Sequence, residues 1–335
     1  MEQRIRDLFT PEIYRQALQV YGISPEKARE LGGFESYIYE FNLNQQAGIL
    51  RVTHTLHRSP DMIRGELDWI NFLYQGGAGV SQPIPTLEGE WVGCLDDGSG
   101  GSFLVSAFQK AAGAPHRGQE WPTPLLREYG IQLGRMHQLT QSYLPSHPAW
   151  KRPAWDDAVH LEIVNFIPTN EEGIRDLFWE NIESIRKLPR DDRSYGLIHQ
   201  DPHQGNFFVD QNGRITFFDF DDSSYSWFVE DIALAIFYAS LGQQDPEGFT
   251  ADFLESFLPG YFSSYALDPS WFSHIPLFLK RREIDLYAVI HRSFDVEHLS
   301  DPWAAWYLDG RKERLLGRVP VLAFDFAGFD YQAFC

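Results

Sequence analysis

Between Ile198 and Asp221 the chain sets a carboxylate beside a proline, then an asparagine, then two more carboxylates beyond a short β-like interruption. The segment runs His199-Gln200-Asp201-Pro202-His203-Gln204-Gly205-Asn206, then Phe207-Phe208-Val209, Asp210-Gln211-Asn212-Gly213, Arg214 to Phe218, and Asp219-Phe220-Asp221. Pro202 disfavours helix at Asp201, which puts that acid in a loop. Apolar runs on both sides of Asp-Gln-Asn-Gly predict a hairpin, and its folding brings Asn206 and Asp219 to the open end. An amide oxygen and a carboxylate there suit Mg²⁺, a hard cation that takes a few oxygen ligands and fills its shell with water and phosphates. Asp201 stands close enough in sequence to receive or orient a hydroxyl proton. Base, metal amide and metal carboxylate, in that order, are what phosphoryl transfer from a nucleotide requires. His199 and His203 allow a zinc reading, but no HExxH and no second histidine pair completes such a site.

The surroundings predict a mixed first part and a helical remainder. Phe34 to Leu43 and Gly48 to Thr53 are aromatic or β-branched runs around the turn Asn44-Gln45-Gln46-Ala47. Ile63, Leu67, Ile70 and Tyr74 recur at helical spacing over 61–75. Trp91 to Leu95 and Phe103 to Phe108 form a second strand pair around a Gly- and Asp-rich turn. From about residue 122 helices dominate, with further ones over 227–241 and 271–294. Two lobes follow, residues 1–108 and 109–335.

Composition narrows the function. Aromatic residues make up 15% of the 335, enough for a substantial core, and the formal charge of −19 repels nucleic-acid backbones. The acidic excess is spread along the chain and marks no local funnel for cations. Cys94 and Cys335 cannot build a disulfide framework, which suits a reducing compartment. The N-terminal residues lack the apolar core of a signal peptide, and no apolar run is long enough to span a membrane. The expected location is the cytoplasm, with no nucleic-acid or membrane partner.

The wording Ile198-His199-Gln200-Asp201-Pro202-His203-Gln204-Gly205-Asn206 with Phe218-Asp219-Phe220-Asp221 resembles the aminoglycoside phosphotransferase and choline kinase branch of the protein-kinase-like superfamily. The resemblance implies an α+β, bilobed fold with a small β-rich N-lobe for nucleotide and a larger helical C-lobe for catalysis and substrate. It implies ATP and Mg²⁺ as cofactors and a small-molecule hydroxyl as phosphoryl acceptor. Asp201 would be the base, Asn206 and Asp219 the metal ligands, His199 a brace for the loop and Asp221 a supporting acid. Asp231, opening the next helix, matches the family's acid at that place. Upstream, Gly33 and Ser36 would belong to the loop covering the nucleotide. Arg51 would contact phosphates where protein kinases use lysine, and Glu66 would hold it. Ser106 and Phe108 would stand by the adenine. His137 would pack in the lobe core; Arg281 and Arg282, with Glu283 and Tyr287, could line the acceptor pocket but read more readily as a solvated helix face. A protein Ser/Thr kinase and a non-catalytic kinase-shaped protein are the alternatives. The missing Ala-Pro-Glu segment disfavours the first, and the intact Asp201, Asn206 and Asp219 disfavour the second.

Overall fold

The computed structural model describes residues 3–33, 35–43, 45–118 and 120–334; Phe34, Asn44 and Cys335, all named above, lie outside the described residues. The helices are α1 (Gln3–Leu8), α2 (Pro11–Gln19), α3 (Pro60–Gln75), α4 (Thr123–Thr140), α5 (Ala158–Leu161), α6 (Glu172–Arg186), α7 (Phe228–Ser240), α8 (Pro246–Ser264), α9 (Ile275–Ser293), α10 (Pro302–Leu308) and α11 (Arg311–Leu316). The strands are β1 (Ala28–Glu30), β2 (Tyr37–Leu43), β3 (Gln46–His54), β4 (Pro83–Ile84), β5 (Gly93–Asp96), β6 (Ser102–Gln109), β7 (Ala114–Pro115), β8 (Tyr195–Ile198), β9 (Phe207–Val209), β10 (Ile215–Phe217) and β11 (Ser224–Trp227). They form two compact units. The first takes Met1–Pro115, Ser142–Arg152 and Phe207–Asp221; the second takes His116–Gln141, Pro153–Asn206 and Asp222–Cys335. The first unit therefore runs past residue 108 and recruits two later segments.

The first unit is organised by the period of two along its strands. Its antiparallel sheet has the order β1-β2-β3-β6-β4, with β5 also paired to β6. Tyr39 and Phe41, Leu50 and Val52, and Phe103, Val105 and Ala107 share one buried face with Ile13, Ala17 and Leu18 of α2. α1 and α2, which the sequence reading did not foresee, close this face; Thr10 caps α2 by accepting from the Ile13 N–H. The alternate residues Arg51, Leu104 and Ser106 fall on the other face, where Ile63 and Leu67 of α3 pack with Leu104. The expected turn is shorter than four residues. β3 already begins at Gln46, paired with Leu43, and Gln45 takes a left-handed φ of 67°.

The hairpin expected after Asn206 is present, with Phe207 opposite Phe217, and it belongs to the first unit. There β7 extends it to three strands, and Asp68 of α3 accepts from the Tyr143 hydroxyl at 2.7 Å and from the Ser146 hydroxyl and N–H at 2.6 and 3.0 Å.

The second unit is helical around one two-stranded pair, β8 with β11. α7 is buried nearly all round, as its unbroken apolar run Ile232–Ala239 requires. α4 and α8 approach so closely that glycine is needed at the contact. A Cβ on Gly260 would lie 2.0 Å from the Arg127 carbonyl oxygen, and one on Gly130 would lie 2.2 Å from that of Phe257. Among the described residues no helix is long and apolar enough to cross a membrane.

Because the obstruction at Gly260 is backbone, Gly260→Ala has to push α4 from α8, and this outweighs the ~1 kcal/mol of helix propensity that alanine brings. The expected loss is about 2 kcal/mol, read as a lower urea midpoint. An unchanged or higher midpoint refutes the tight contact.

Candidate active site

In the first unit the strand alternation aims Arg51 at α3. Its Nη1 and Nη2 donate to Glu66 Oε1 and Oε2 at 2.9 and 2.6 Å, a bidentate pair in which both side chains are buried. Arg51 Nε donates to Ser106 Oγ at 3.3 Å, and the guanidinium lies 5.2 Å from the centre of the Phe108 ring. Burial alone would favour the neutral guanidine, but Glu66 and Asp221 outweigh it and hold Arg51 firmly charged. Ser106 and Phe108 thus reach this cluster by their side chains, while the backbone around them is taken up in pairing with β3 and β4. In the preceding loop a Cβ on Gly33 would stand 2.0 Å from the Ser36 carbonyl oxygen, and Ser36 Oγ lies 2.8 Å from Thr53 Oγ1. That close fold needs glycine.

Asp221 is gathered in by cations. Arg58 Nε donates to its Oδ2 at 2.9 Å, His57 Nε2 lies 3.3 Å from the same oxygen, and Arg51 Nη1 faces Oδ1 at 4.0 Å. Glu35 approaches His57 at 2.9 Å from the other side. Burial would lower the His57 pKa, yet its hydrogen bonds to Asp221 and Glu35 prevail and raise it to about 9. Glu35, His57 and Asp221 offer ligand atoms within 4.8 Å of one another, and the hydrogen bonds of His57 to both acids favour its protonated form over a metal-ligating one. The trio is a charge clamp. Asp219 lies two residues earlier with a left-handed φ of 64°, a conformation aspartate tolerates better than most residues, and its charge adds to those acting on Arg51.

In the second unit the loop 199–206 hangs from Asp231. This buried carboxylate, in the first turn of α7, accepts from the N–H groups of His199 at 2.9 Å and Gln200 at 2.8 Å, with His137 Nε2 at 3.3 Å. Gln200 is held at a φ of 72°, and the Tyr129 hydroxyl donates to the Pro202 carbonyl. His199 is fully buried inside this bracing, and burial lowers its pKa despite Asp231 and Asp201 nearby.

Asp201 at the loop's bend is bonded on both oxygens. Asn206 Nδ2 donates to Oδ2 at 3.1 Å and to the Asp201 carbonyl at 3.0 Å; His203 Nε2 is 3.2 Å from Oδ2, and Arg282 donates to Oδ1. Burial would raise the Asp201 pKa, but Arg282 and His203 outweigh it and hold the acid ionised well below the usual carboxylate range. Such a carboxylate is suited to orient a hydroxyl rather than to keep its proton. With Nδ2 committed, the amide oxygen is the atom Asn206 has for a hard cation, and a carboxylate such as Asp219 offers the same donor chemistry. The residues present fit an oxygen-bound divalent ion.

The pair Arg281 and Arg282 departs from the expected solvated face. Arg281 is buried, its guanidinium 5.5 Å from the Trp155 ring centre, with Nε donating to Asp285 at 2.7 Å. Arg282 also donates from Nε to Tyr238 Oη at 2.8 Å. The i,i+4 spacing of Arg281 and Asp285 was visible, but nothing in sequence could pair Arg282 with an acid 81 positions away. His57 and Arg58 were missed for the same reason.

Two outcomes follow from these burials. Glu66→Ala leaves Arg51 charged and buried with only the less direct charges of Asp221 and Asp219, and should cost about 3–5 kcal/mol of unfolding free energy, against much less for Glu66→Gln. Equal stability of the two variants in urea titrations argues against the pair. Burial raises the Glu230 pKa to about 7, only partly offset by Arg281 and Ser226. The folded state then holds a proton that the unfolded chain has released above its ordinary value, so this contribution to stability is full at low pH and lost as pH rises through 7. Glu230→Gln should therefore gain on the parent by ~3 kcal/mol between pH 4.5 and 8. Parallel stability–pH curves refute the assignment.

Comparison with known proteins agrees with this geometry. The model of the phosphotransferase enzyme family matches residues 27–267. The amicoumacin kinase of Bacillus subtilis (strain 168) is 36% identical over 328 residues, 96% of this chain and 97% of that protein. A solved amicoumacin kinase, in complex with AMP-PNP, Ca²⁺ and Ami, superposes with a TM-score of 0.92 at 32% identity, covering 98% of this chain and 99% of the other. A microcompartment-associated aminopropanol kinase shares the fold, with a TM-score of 0.70 at 22% identity over 92% of this chain and 98% of its own. The chain belongs to the phosphotransferase enzyme family, as an enzyme of protein-kinase-like α+β fold that transfers a phosphoryl group to a hydroxyl of a small molecule.

Proposed function

We propose that the enzyme moves the γ-phosphoryl group of ATP, with Mg²⁺, to a hydroxyl of amicoumacin or of a close chemical relative. The observation that carries this reading is the Asp201 carboxylate, held ionised and oriented by Asn206 and Arg282 on a loop anchored to Asp231, in a chain 36% identical to an amicoumacin kinase over 96% of its length. Asp201 accepts a hydrogen bond from the acceptor hydroxyl and orients it toward the phosphorus, and the hydroxyl proton passes on to solvent as the new bond forms. Asn206 and Asp219 are the assigned ligands of the divalent ion, which when bound offsets the charge of the triphosphate. Arg51, held by Glu66 and Ser106 with its guanidinium near the Phe108 ring, would meet phosphate oxygens, and Gly33 and Ser36 would belong to the part that covers the nucleotide. Asp221 fixes His57 and Arg58, while His199 and Asp231 brace the loop that presents Asp201. The first unit is thus assigned to nucleotide and the second to base and acceptor. Catalysis on this scheme is positioning and electrostatics. A reaction that draws on ATP favours the cytoplasm as the location.

The test is ADP formation with Mg-ATP and amicoumacin. Asp201→Ala should lower kcat by about a thousandfold or more while Mg-ATP still raises the melting temperature, and Asp219→Ala should lose both turnover and the Mg²⁺ dependence of that shift. Normal turnover by Asp201→Ala, or no ADP from the parent with any hydroxyl acceptor, overturns the reading.

A further inference from the structure

Glu35 sets a carboxylate in the loop assigned to cover the nucleotide, where a triphosphate brings several negative charges of its own. An acid facing that ligand without a counter-charge repels it, and the repulsion grows as water is excluded. The structure answers this charge in one particular way. Glu35 Oε2 stands 2.9 Å from His57 Nε2, and the same nitrogen lies 3.3 Å from Asp221 Oδ2. The His57 side chain is only 17% exposed, which spares the contact much of the screening that weakens surface pairs.

What His57 joins together gives the contact its meaning. Glu35 belongs to the turn between β1 and β2, whereas Asp221 follows β10 at the end of the segment that carries Asp219. Asp221 is secured without His57: Arg58 Nε donates to its carboxylate at 2.9 Å, and Arg152 donates to its backbone carbonyl. Arg152 is itself buried and donates to the Met62 carbonyl at 2.8 Å. The Asp221 end is therefore a fixed post. At the other end the loop has its close fold at Gly33 and the Ser36–Thr53 hydroxyl contact, and His57 ties it to the post. Loss of His57 takes this cation from Glu35 while Asp221 keeps two other arginine contacts.

We propose that His57 is a positioning residue for nucleotide binding, which latches Glu35 of the covering loop to Asp221 and cancels the Glu35 charge on the side of the triphosphate. The inference rests on the functional reading above for the statement that this loop covers the nucleotide. One imidazole thereby sets the loop and the Asp219 segment in register before any ligand arrives, and such preorganisation removes part of the ordering cost of binding.

The test reads binding without turnover. Mg-AMP-PNP, whose γ-phosphoryl group is not transferred, is titrated into the full chain by calorimetry, with adenosine as the probe that carries no phosphate. His57→Gln, which removes the charge, should raise the Kd for Mg-AMP-PNP about tenfold. His57→Lys, which restores a cation, should recover most of that loss. In a Glu35→Gln background, where the loop charge is already gone, His57→Gln should raise Kd by no more than about twofold. Adenosine should bind the parent and His57→Gln alike. A cooperative thermal transition without ligand identifies each variant as folded. An equal rise in Kd in both backgrounds, an equal loss of adenosine affinity, or a parent-like Kd for His57→Gln overturns the proposal. A parent that binds no Mg-AMP-PNP overturns the functional reading and the latch together. Coupling between Glu35 and His57 in binding, with no ADP formed from any hydroxyl acceptor, upholds the latch and overturns the functional reading alone.

Discussion

The Asp231 carboxylate is the contact on which the second unit's chemistry rests. It is buried in the first turn of α7, where the helix dipole favours a negative charge, and it accepts from the His199 and Gln200 backbone N–H groups. Gln200 stands in a left-handed conformation that costs a non-glycine residue about 1–2 kcal/mol, and such a bend persists only where surrounding bonds over-determine it. With the bend held, Asp201 and Asn206 face each other across one loop, and the proline between them keeps that loop from becoming helix. A single buried acid thereby converts a strained backbone into a positioned carboxylate.

A second constraint runs through the first unit, where cations gather in a protein that is acidic overall. Arg51, Arg58 and a protonated His57 surround Asp221, and Glu66 answers Arg51 from α3. Buried ion pairs add little to stability on balance, because the cost of removing both charges from water cancels much of their attraction. What such a group does secure is a fixed direction for each charge. The guanidinium of Arg51 is held by two carboxylate oxygens and one hydroxyl, with an aromatic ring beneath it, so it has few alternative rotamers.

The two units solve opposite electrostatic tasks by the same means. In one, carboxylates hold an arginine; in the other, an arginine and a histidine hold a carboxylate, leaving Asp201 ionised throughout the physiological range. Both rely on partners distant in sequence, such as Arg282 for Asp201 and Asp221 for Arg58. α9, which supplies Arg282, also anchors α10, whose Tyr307 hydroxyl donates to the Glu283 carbonyl, so Asp201 and α10 are referred to one helix.

The order and chemistry of the local segments were legible without coordinates. The β-branched run over Gly48 to Thr53 and the recurrence at Ile63, Leu67 and Ile70 are short-range patterns, and they predicted the strand β3 and the helix α3. Loop, hairpin and acid-led helix from His199 to Asp231 were likewise written in consecutive residues, and with them the family and its reaction. Sequence could not say that Ser106 would bond Arg51, that α1 and α2 would cover the sheet, or that Arg282 would pair with Asp201. Those are non-local pairings, selected when buried charges and apolar faces must find partners from among the whole chain. Only the packed tertiary structure makes that choice, because the cost of leaving such a group unpartnered arises only once water has been excluded.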